Sequence, residues 1–267
     1  MKILILGDIC GPSGIKIVKS KLKDLKKEKK IDFTIANGEN AAENGKGITK
    51  KNFKELIDAG VDVITTGNHV WDQKEILEII DKETKIIRPA NLLEGQPGRG
   101  YFIYEYNDKK IAVINLIGNV FMKKSQDLFL YSEKIIKKIK LKKDADFIII
   151  DIHGEITSEK MALGHFLDGK VTTVVGTHTH VPTADTRILE NGTAYQTDIG
   201  MCGDYNSVIG MNIENSLNKF LKKSSSKHFP STGEASLCGV IVECDIKTGL
   251  AKDIQKFIYG GELDNSN

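Results

Sequence analysis

KILILGD, residues 2–8, is a nearly continuous apolar run that stops at Gly7-Asp8. A run this short, with no polar face, suits a strand buried on both sides, as in a parallel or mixed sheet with helices outside. The same pattern continues outward from it. GIKIVKSKLKDLKKEKK (14–30) has amphipathic helical spacing. IDFTIANGEN (31–40) reads as a second strand, delivering Asn37, Gly38, Glu39 and Asn40. TKKNFKELIDAG (49–60) is a helix with Thr49 as its cap and Gly60 as its stop. VDVITTGNH (61–69) is a third strand, and QKEILEIIDKE (73–83) has helical spacing. The opening βαβαβα predicts an α/β fold with right-handed crossovers.

Beyond residue 90 the rhythm changes. GRGYFIYEYNDKKIAVINLIG (98–118) predicts a hairpin turning at Asn107-Asp108. DLFLYSEKIIKKIKLKKDA is mostly helical. DFIIIDIHGE (146–155) is a strand, SEKMALGHFLDGK (158–170) a helix and VTTVVGTHTH (171–180) another strand. ADTRILENGTAYQTDIG (184–200) and ASLCGVIVECDIKTG (235–249) have β character, with a helical stretch around IENSLNKFLKKS between them. No repeat and no linker interrupts the series, so 1–267 reads as one domain of two sheets with helices outside.

The totals exclude several classes. The chain has 267 residues, 40% of them hydrophobic and 28% charged, long enough to bury roughly 70–75% of its unfolded surface. The formal net charge of +2 gives no strong global field, which argues against a long nucleic-acid groove. Lysine-rich 19–30 and 134–144 alternate with Leu and Ile at helical spacing and read as solvated helix faces. The four cysteines form no CxxC pair, as expected of free thiols in a reducing compartment. With no leader-like start and no apolar run long enough for a bilayer, the expected location is cytoplasmic, without membrane association. Walker A, GxSxG and HExxH patterns are absent, and GDICGPSG lacks the glycine spacing of a dinucleotide fold.

The chemistry lies in how the strands end. Asp8 follows ILIL, Glu39 and Asn40 follow TIANG, Asn68 and His69 follow VITTG, His153 follows FIIIDI, and His178 and His180 follow VTTVVGT. Carboxyl ends of strands line the ligand crevice in open α/β sheets. These donors are carboxylate, carboxamide and imidazole with no sulfur, a set suited to Zn, Fe, Mn or Co. They outnumber the four ligands of a structural zinc, and with one bridging carboxylate they suit two metals about 3.5–4 Å apart. Glu39 is the natural bridge. His165 inside MALGHFLDG reads as a packing or surface residue, His228 as a loop residue, and Cys10 as lying outside the ligand set. Trp71 is assigned no chemistry. Arg88 and Arg99 in RPANLLEGQPGRG (88–100) are available for phosphate.

GD (7–8), GEN (38–40), GNH (67–69), His153 and GTHTH (176–180) resemble the blocks of the calcineurin-like metallophosphoesterases. ANGENAAENGKGIT (36–49), GNHVWD (67–72), DIHGEITSEKMALGHFLDGKV (151–171), GTHTHVPTADTRIL (176–189) and TAYQTDIGMCGDYNSVIGM (193–211) resemble more closely the YmdB-like bacterial 2′,3′-cyclic nucleotide phosphodiesterases, over essentially the whole chain. The resemblance implies a four-layer α/β/β/α sandwich of two mixed sheets flanked by helices. It implies two metal ions, iron or manganese favoured and zinc or cobalt possible, one on Asp8, Glu39, Asn40 and His180. The other lies on Glu39, Asn68, His153 and His178. The implied reaction is hydrolysis of 2′,3′-cyclic nucleotides to nucleoside 3′-phosphates by metal-activated hydroxide, with His69 assisting the leaving oxygen and Asp72 orienting His69. The implied partners are a small cyclic nucleotide or short RNA-derived phosphodiester and further copies of the chain. Two departures from the wider superfamily fit the subgroup: Cys10 where a histidine is usual, and Glu39 where the bridge is usually Asp. The rival readings are a phosphomonoesterase or 5′-nucleotidase on the same site, and an RNA-linked regulatory protein whose metal site is not catalytic.

Overall fold

The computed structural model describes residues 1–223 and 229–264, so His228 lies outside the described residues. The chain begins β1 (Lys2–Ile9), α1 (Gly11–Lys29), β2 (Phe33–Asn37), α2 (Lys50–Ala59) and β3 (Val63–Thr65). It continues with β4 (Tyr101–Tyr106), β5 (Lys109–Ile117), α3 (Leu128–Lys138), β6 (Phe147–His153), α4 (Thr157–Leu167) and β7 (Thr173–Thr177). The remainder is β8 (Arg187–Ile188), β9 (Ala194–Gln196), β10 (Met201–Asp204), α5 (Ile213–Phe220), β11 (Ala235–Cys244), β12 (Ala251–Tyr259) and α6 (Gly261–Asp264). One sheet has the order β12-β11-β10-β1-β2-β3 and the other β4-β5-β6-β7-β9-β8. Both mix parallel and antiparallel pairs.

The two-residue period of each strand sorts its side chains into layers. Ile3 and Ile5 of β1, with Phe33, Ile35 and Val63, meet Phe147, Ile149 and Val175 of the second sheet in a core between the sheets. Leu4, Leu6 and Ile9 point the other way, onto Val18, Leu22 and Leu25 of α1 and Leu56 of α2. Ile148, Ile150 and Ile152 likewise face Leu163 and Leu167 of α4 and Ile135 of α3. Each fully buried Ile or Leu of this kind contributes about 1.5–3 kcal/mol. The result is the four-layer α/β/β/α sandwich of two mixed sheets.

Local rules set several boundaries. Thr49 caps α2 in a reciprocal box with Asn52, and Gly60 ends it at φ 107. Asn107 and Asp108, at φ 47 and 58, make the left-handed turn between β4 and β5. The helical spacing at 73–83 yields only a 3-10 turn, Lys74–Glu78. Beyond it the chain brings Lys85–Ile87 alongside Ile64, where the Ile64 N–H donates to the Lys85 carbonyl and the Ile87 N–H to the Ile64 carbonyl. The β-rich tail also holds two strands not read from the sequence, β10 and β12. The lysine-rich faces of α1 and α3 are solvated, as expected. Among the described residues no helix is long and apolar enough to cross a membrane.

Candidate metal centre

On β2, β3, β6 and β7 the inter-sheet face becomes polar at the carboxyl end, and the site is built there. On β6 the alternation Phe147, Ile149, Asp151, His153 keeps one face throughout, so the last two side chains emerge between the sheets beyond the apolar core. Asn37 on β2, Thr65 on β3 and Thr177 on β7 follow by the same parity. All four are buried and bonded together: Asp151 accepts from Asn37 Nδ2 (2.9 Å), Thr65 Oγ1 (2.5 Å) and Thr177 Oγ1 (2.7 Å). Asp8 breaks the parity. As an even residue it would join Leu4 and Leu6 beneath α1, but the register with β2 shifts between Leu6 and Asp8 and turns its carboxylate inward. Gly7 permits this, since a β-carbon there would sit 1.9 Å from the Gly200 carbonyl oxygen. Asp8 therefore does not cap α1, which starts behind Cys10 without a side-chain cap.

The structure brings the candidate ligands together in two groups, one around His153 and one at His180. His153 Nε2 lies 2.9 Å from Glu39 Oε1, 3.1 Å from Asn68 Oδ1 and 3.0 Å from His178 Nδ1. Asp8 accepts the His178 backbone N–H through Oδ2 (3.0 Å), while its Oδ1, fully buried, has no hydrogen-bond partner. His180 Nε2 lies 3.2 Å from Asn40 Oδ1. Glu39, His153 and His178 offer donor atoms all within 4.8 Å of one another.

Hydrogen-bond chemistry tests whether this set fits cations. His180 Nδ1 faces the Ile209 carbonyl at 2.8 Å, which can only accept, so Nδ1 carries a proton and a neutral ring would present a bare Nε2. Asn40 Nδ2 donates to the Gly45 carbonyl at 2.9 Å, which fixes the amide with Oδ1 towards His180. With the ring neutral, two acceptors face each other at a spacing that a cation between them would satisfy. Around His153 Nε2, three acceptors share at most one proton. A buried acceptor pair is costly unless a cation lies between its members, so both clusters fit bound metal.

The electrostatics agree. Burial pushes the Asp8 carboxyl up to about 6, with His180 and His153 opposing the rise. Burial would also raise Glu39, but the neighbouring His153 ring and the His69 N–H (3.1 Å) hold it at about 2. His153 would be lowered by burial, yet Glu39, Asp8 and Asp151 raise it to about 9. His178 falls to about 3 through burial and repulsion from His153.

His69 stands apart. Its Nδ1 lies 2.8 Å from Asp72 Oδ2, the pairing expected for an orienting carboxylate, and its side chain is 26% exposed at the rim. Lys123 Nζ donates to the Asn68 carbonyl and lies 4.0 Å from Asp72 Oδ1.

His178 and His180 both have positive φ, 98° and 66°. For non-glycine residues this costs about 1–3 kcal/mol each, so the surrounding bonds must hold the turn. His178 Nε2 lies 3.1 Å from Glu155 Oε2, a partner not read from the sequence, although Glu155 follows His153 by one strand period. Asp151, an acid inside FIIIDIH, was the other available signal. Cys10 is buried, its thiol is pushed up to about 12 by burial, and its Sγ lies 3.8 Å from the Gly210 carbonyl oxygen. His165 is exposed on α4, and Trp71 packs on the α1 side of the first sheet. The arginines correct an expectation. Arg88 donates to the Pro89, Gln96 and Pro97 carbonyls, while Arg99 donates to the Asp81 carbonyl and lies over the Phe102 ring, so both hold their own loop. Asp204 accepts from Ser231, Gly233 and Asn206 and ties 204–210 to 231–233.

The sequence model of the YmdB-like protein family matches residues 4–257. The chain belongs to that family. It is 45% identical over 262 residues, 98% of either chain, to the Bacillus subtilis (strain 168) protein named 2′,3′-cyclic-nucleotide 2′-phosphodiesterase. The crystal structure of a phosphatase from Mycoplasma pneumoniae superposes with TM-score 0.90 at 39% identity, over 97% of this chain and 93% of that one. A Thermus thermophilus protein described as hypothetical gives TM-score 0.91 at 35% identity, over 98% and 100%.

Proposed function

We propose that this member of the YmdB-like family hydrolyses 2′,3′-cyclic nucleotides at the 2′ bond, leaving nucleoside 3′-phosphates. Its place in the family makes it an enzyme of phosphoester hydrolysis, and the 45% identical Bacillus subtilis relative carries this substrate in its name. The observation that carries the metal reading is the convergence of Glu39, His153 and His178, whose donor atoms all lie within 4.8 Å of one another, beside the buried and unpartnered Asp8 Oδ1.

Asp8, Glu39, Asn40 and His180 would hold one ion, and Glu39, Asn68, His153 and His178 the other, with Glu39 shared. Fe or Mn is favoured on family grounds, while N and O ligands also accommodate Zn or Co. Bound there, the ions supply charge for the phosphodiester and acidify a water from about 15.7 towards about 7. The chain's own residues do the rest. His153 gives its Nδ1 proton to Thr177 Oγ1 (2.9 Å), which leaves Nε2 free to ligate. His69 faces the substrate, and its Nε2 protonates the departing ester oxygen while Asp72 at Nδ1 stabilises the imidazolium. Lys123 adds positive charge at the rim where an anionic diester enters.

The test is hydrolysis of 2′,3′-cyclic AMP by the metal-loaded protein, with 2′- and 3′-AMP separated by chromatography. 3′-AMP formation that chelation abolishes is the expected result. No turnover with a full metal complement would discard this substrate, and release of phosphate from 5′-AMP instead would move the reading to a monoesterase.

A further inference from the structure

The two histidines of the GTHTH segment occupy a backbone conformation that their own residue types disfavour, and the bonds holding them there lead to one buried ion pair. Lys160 on α4 and Asp198 between β9 and β10 are both completely buried, with Nζ 2.9 Å from Oδ2. Neither belongs to the candidate ligand set. Lys160 Nζ also donates to the carbonyl of Thr177, the residue before His178 (3.2 Å). Asp198 Oδ2 accepts the backbone N–H (3.1 Å) and hydroxyl (2.7 Å) of Thr179, the residue after His178 and before His180. Oδ1 accepts the Gly200 N–H (2.9 Å), which holds the carboxylate in place. The Asp198 main chain closes the far end of the turn: its carbonyl accepts the Thr183 N–H at 3.0 Å and its N–H donates to Thr183 Oγ1 at 3.0 Å. Thr177 and Thr179, on either side of His178, are thus tied to a single pair of charges, and Thr183 beyond His180 to the Asp198 main chain.

We propose that Lys160 and Asp198 are positioning residues of the metal centre: their ion pair holds the 177–183 turn so that His178 and His180 present Nδ1 and Nε2 to the two ion positions. A buried charge pair is a poor choice for stability alone, because apolar residues of similar volume often do as well. It suits a part of the chain where one geometry must be selected over the relaxed alternatives. Gly176 fits the same picture, since a β-carbon there would meet the Lys160 side chain at 2.7 Å and the Thr197 carbonyl oxygen at 1.8 Å. The inference rests on the metal-holding role given to His178 and His180.

The experiment is titration of the full-length, metal-stripped protein with Mn²⁺, reading free ion by electron paramagnetic resonance, for wild type, Lys160→Met, Asp198→Asn, Thr179→Val and Leu22→Ala. Leu22 is a fully buried residue of α1 on the far side of the first sheet and serves as a stability control. The expected result is a loss of Mn²⁺ affinity of about 10–100-fold in Lys160→Met and Asp198→Asn, the range for outer partners of metal ligands. A smaller loss is expected in Thr179→Val and none in Leu22→Ala, although Leu22→Ala also lowers the melting temperature. High Mn²⁺ should restore turnover of 2′,3′-cyclic AMP in Lys160→Met, with KM for the nucleotide unchanged. Wild-type affinity in the charge variants overturns the inference, as does an equal loss in Leu22→Ala. If the charge variants do not fold, Thr179→Val decides, and unchanged affinity there overturns it. A wild-type protein that takes up no Mn²⁺ or other divalent ion would sink the metal reading itself, a result distinct from intact uptake by every variant.

Discussion

The carboxylate side of the site and its imidazole side are held by different means. Glu39 and Asn40 follow β2 directly and Asn68 and His69 follow β3, all on ordinary backbone, while Asp8 is turned inward by one register shift at Gly7. The second sheet supplies His153 by strand parity but presents His178 and His180 on left-handed backbone, braced by Lys160, Asp198 and three threonines. On the first side sheet geometry is enough. On the second, the chain reverses direction while delivering two candidate ligands, and buried polar groups must offset the local strain.

The sharpest way to break this comparison is on the carboxylate side. A β-carbon at Gly67 would lie 2.1 Å from Glu39 Oε2 and 2.4 Å from His153 Nε2, so the Glu39–His153 contact must open. Gly67→Ala should therefore lose metal, read by elemental analysis, and activity together, with a fall of more than about 10³-fold in turnover. Retained metal and activity would show that the centre is looser than its geometry implies. His69→Ala should leave metal content intact and lower kcat by about 10²–10⁴-fold; loss of metal would make His69 a ligand. Asp72→Asn leaves the ring in place but weakens its partner, so a fall of about 10–100-fold is expected, with KM little changed. The smallest effect lies far from both sides: Thr49→Ala removes the α2 cap and should cost about 1 kcal/mol in a denaturant melt without altering activity.

Much of the site could be read in the sequence because strand parity and the carboxyl-end rule act over a few residues. KILILGD, TIANGEN and FIIIDIH announce buried strands, and their polar terminators are the residues that converge. The His69–Asp72 pair was legible for the same reason, being three residues apart. The supporting groups were not. Lys160 lies in an unremarkable helical stretch, and its pairing with Asp198 spans 38 residues. The arginines of 88–100 looked free for phosphate, because nothing in a sequence shows which carbonyls a loop will fold back to offer them.

By itself the sequence determined the alternation of strands and helices, the apolar faces that build three layers of core, and the donor types at the strand ends. Those follow from periodicity and residue chemistry, which are local. Only the tertiary structure decided that Asp8 turns inward, that Asn40 Oδ1 and His180 Nε2 face each other, and that His178 and His180 hold a strained turn. These depend on register shifts and hydrogen bonds between residues up to 170 positions apart, where the geometry is fixed by the packing of the two sheets.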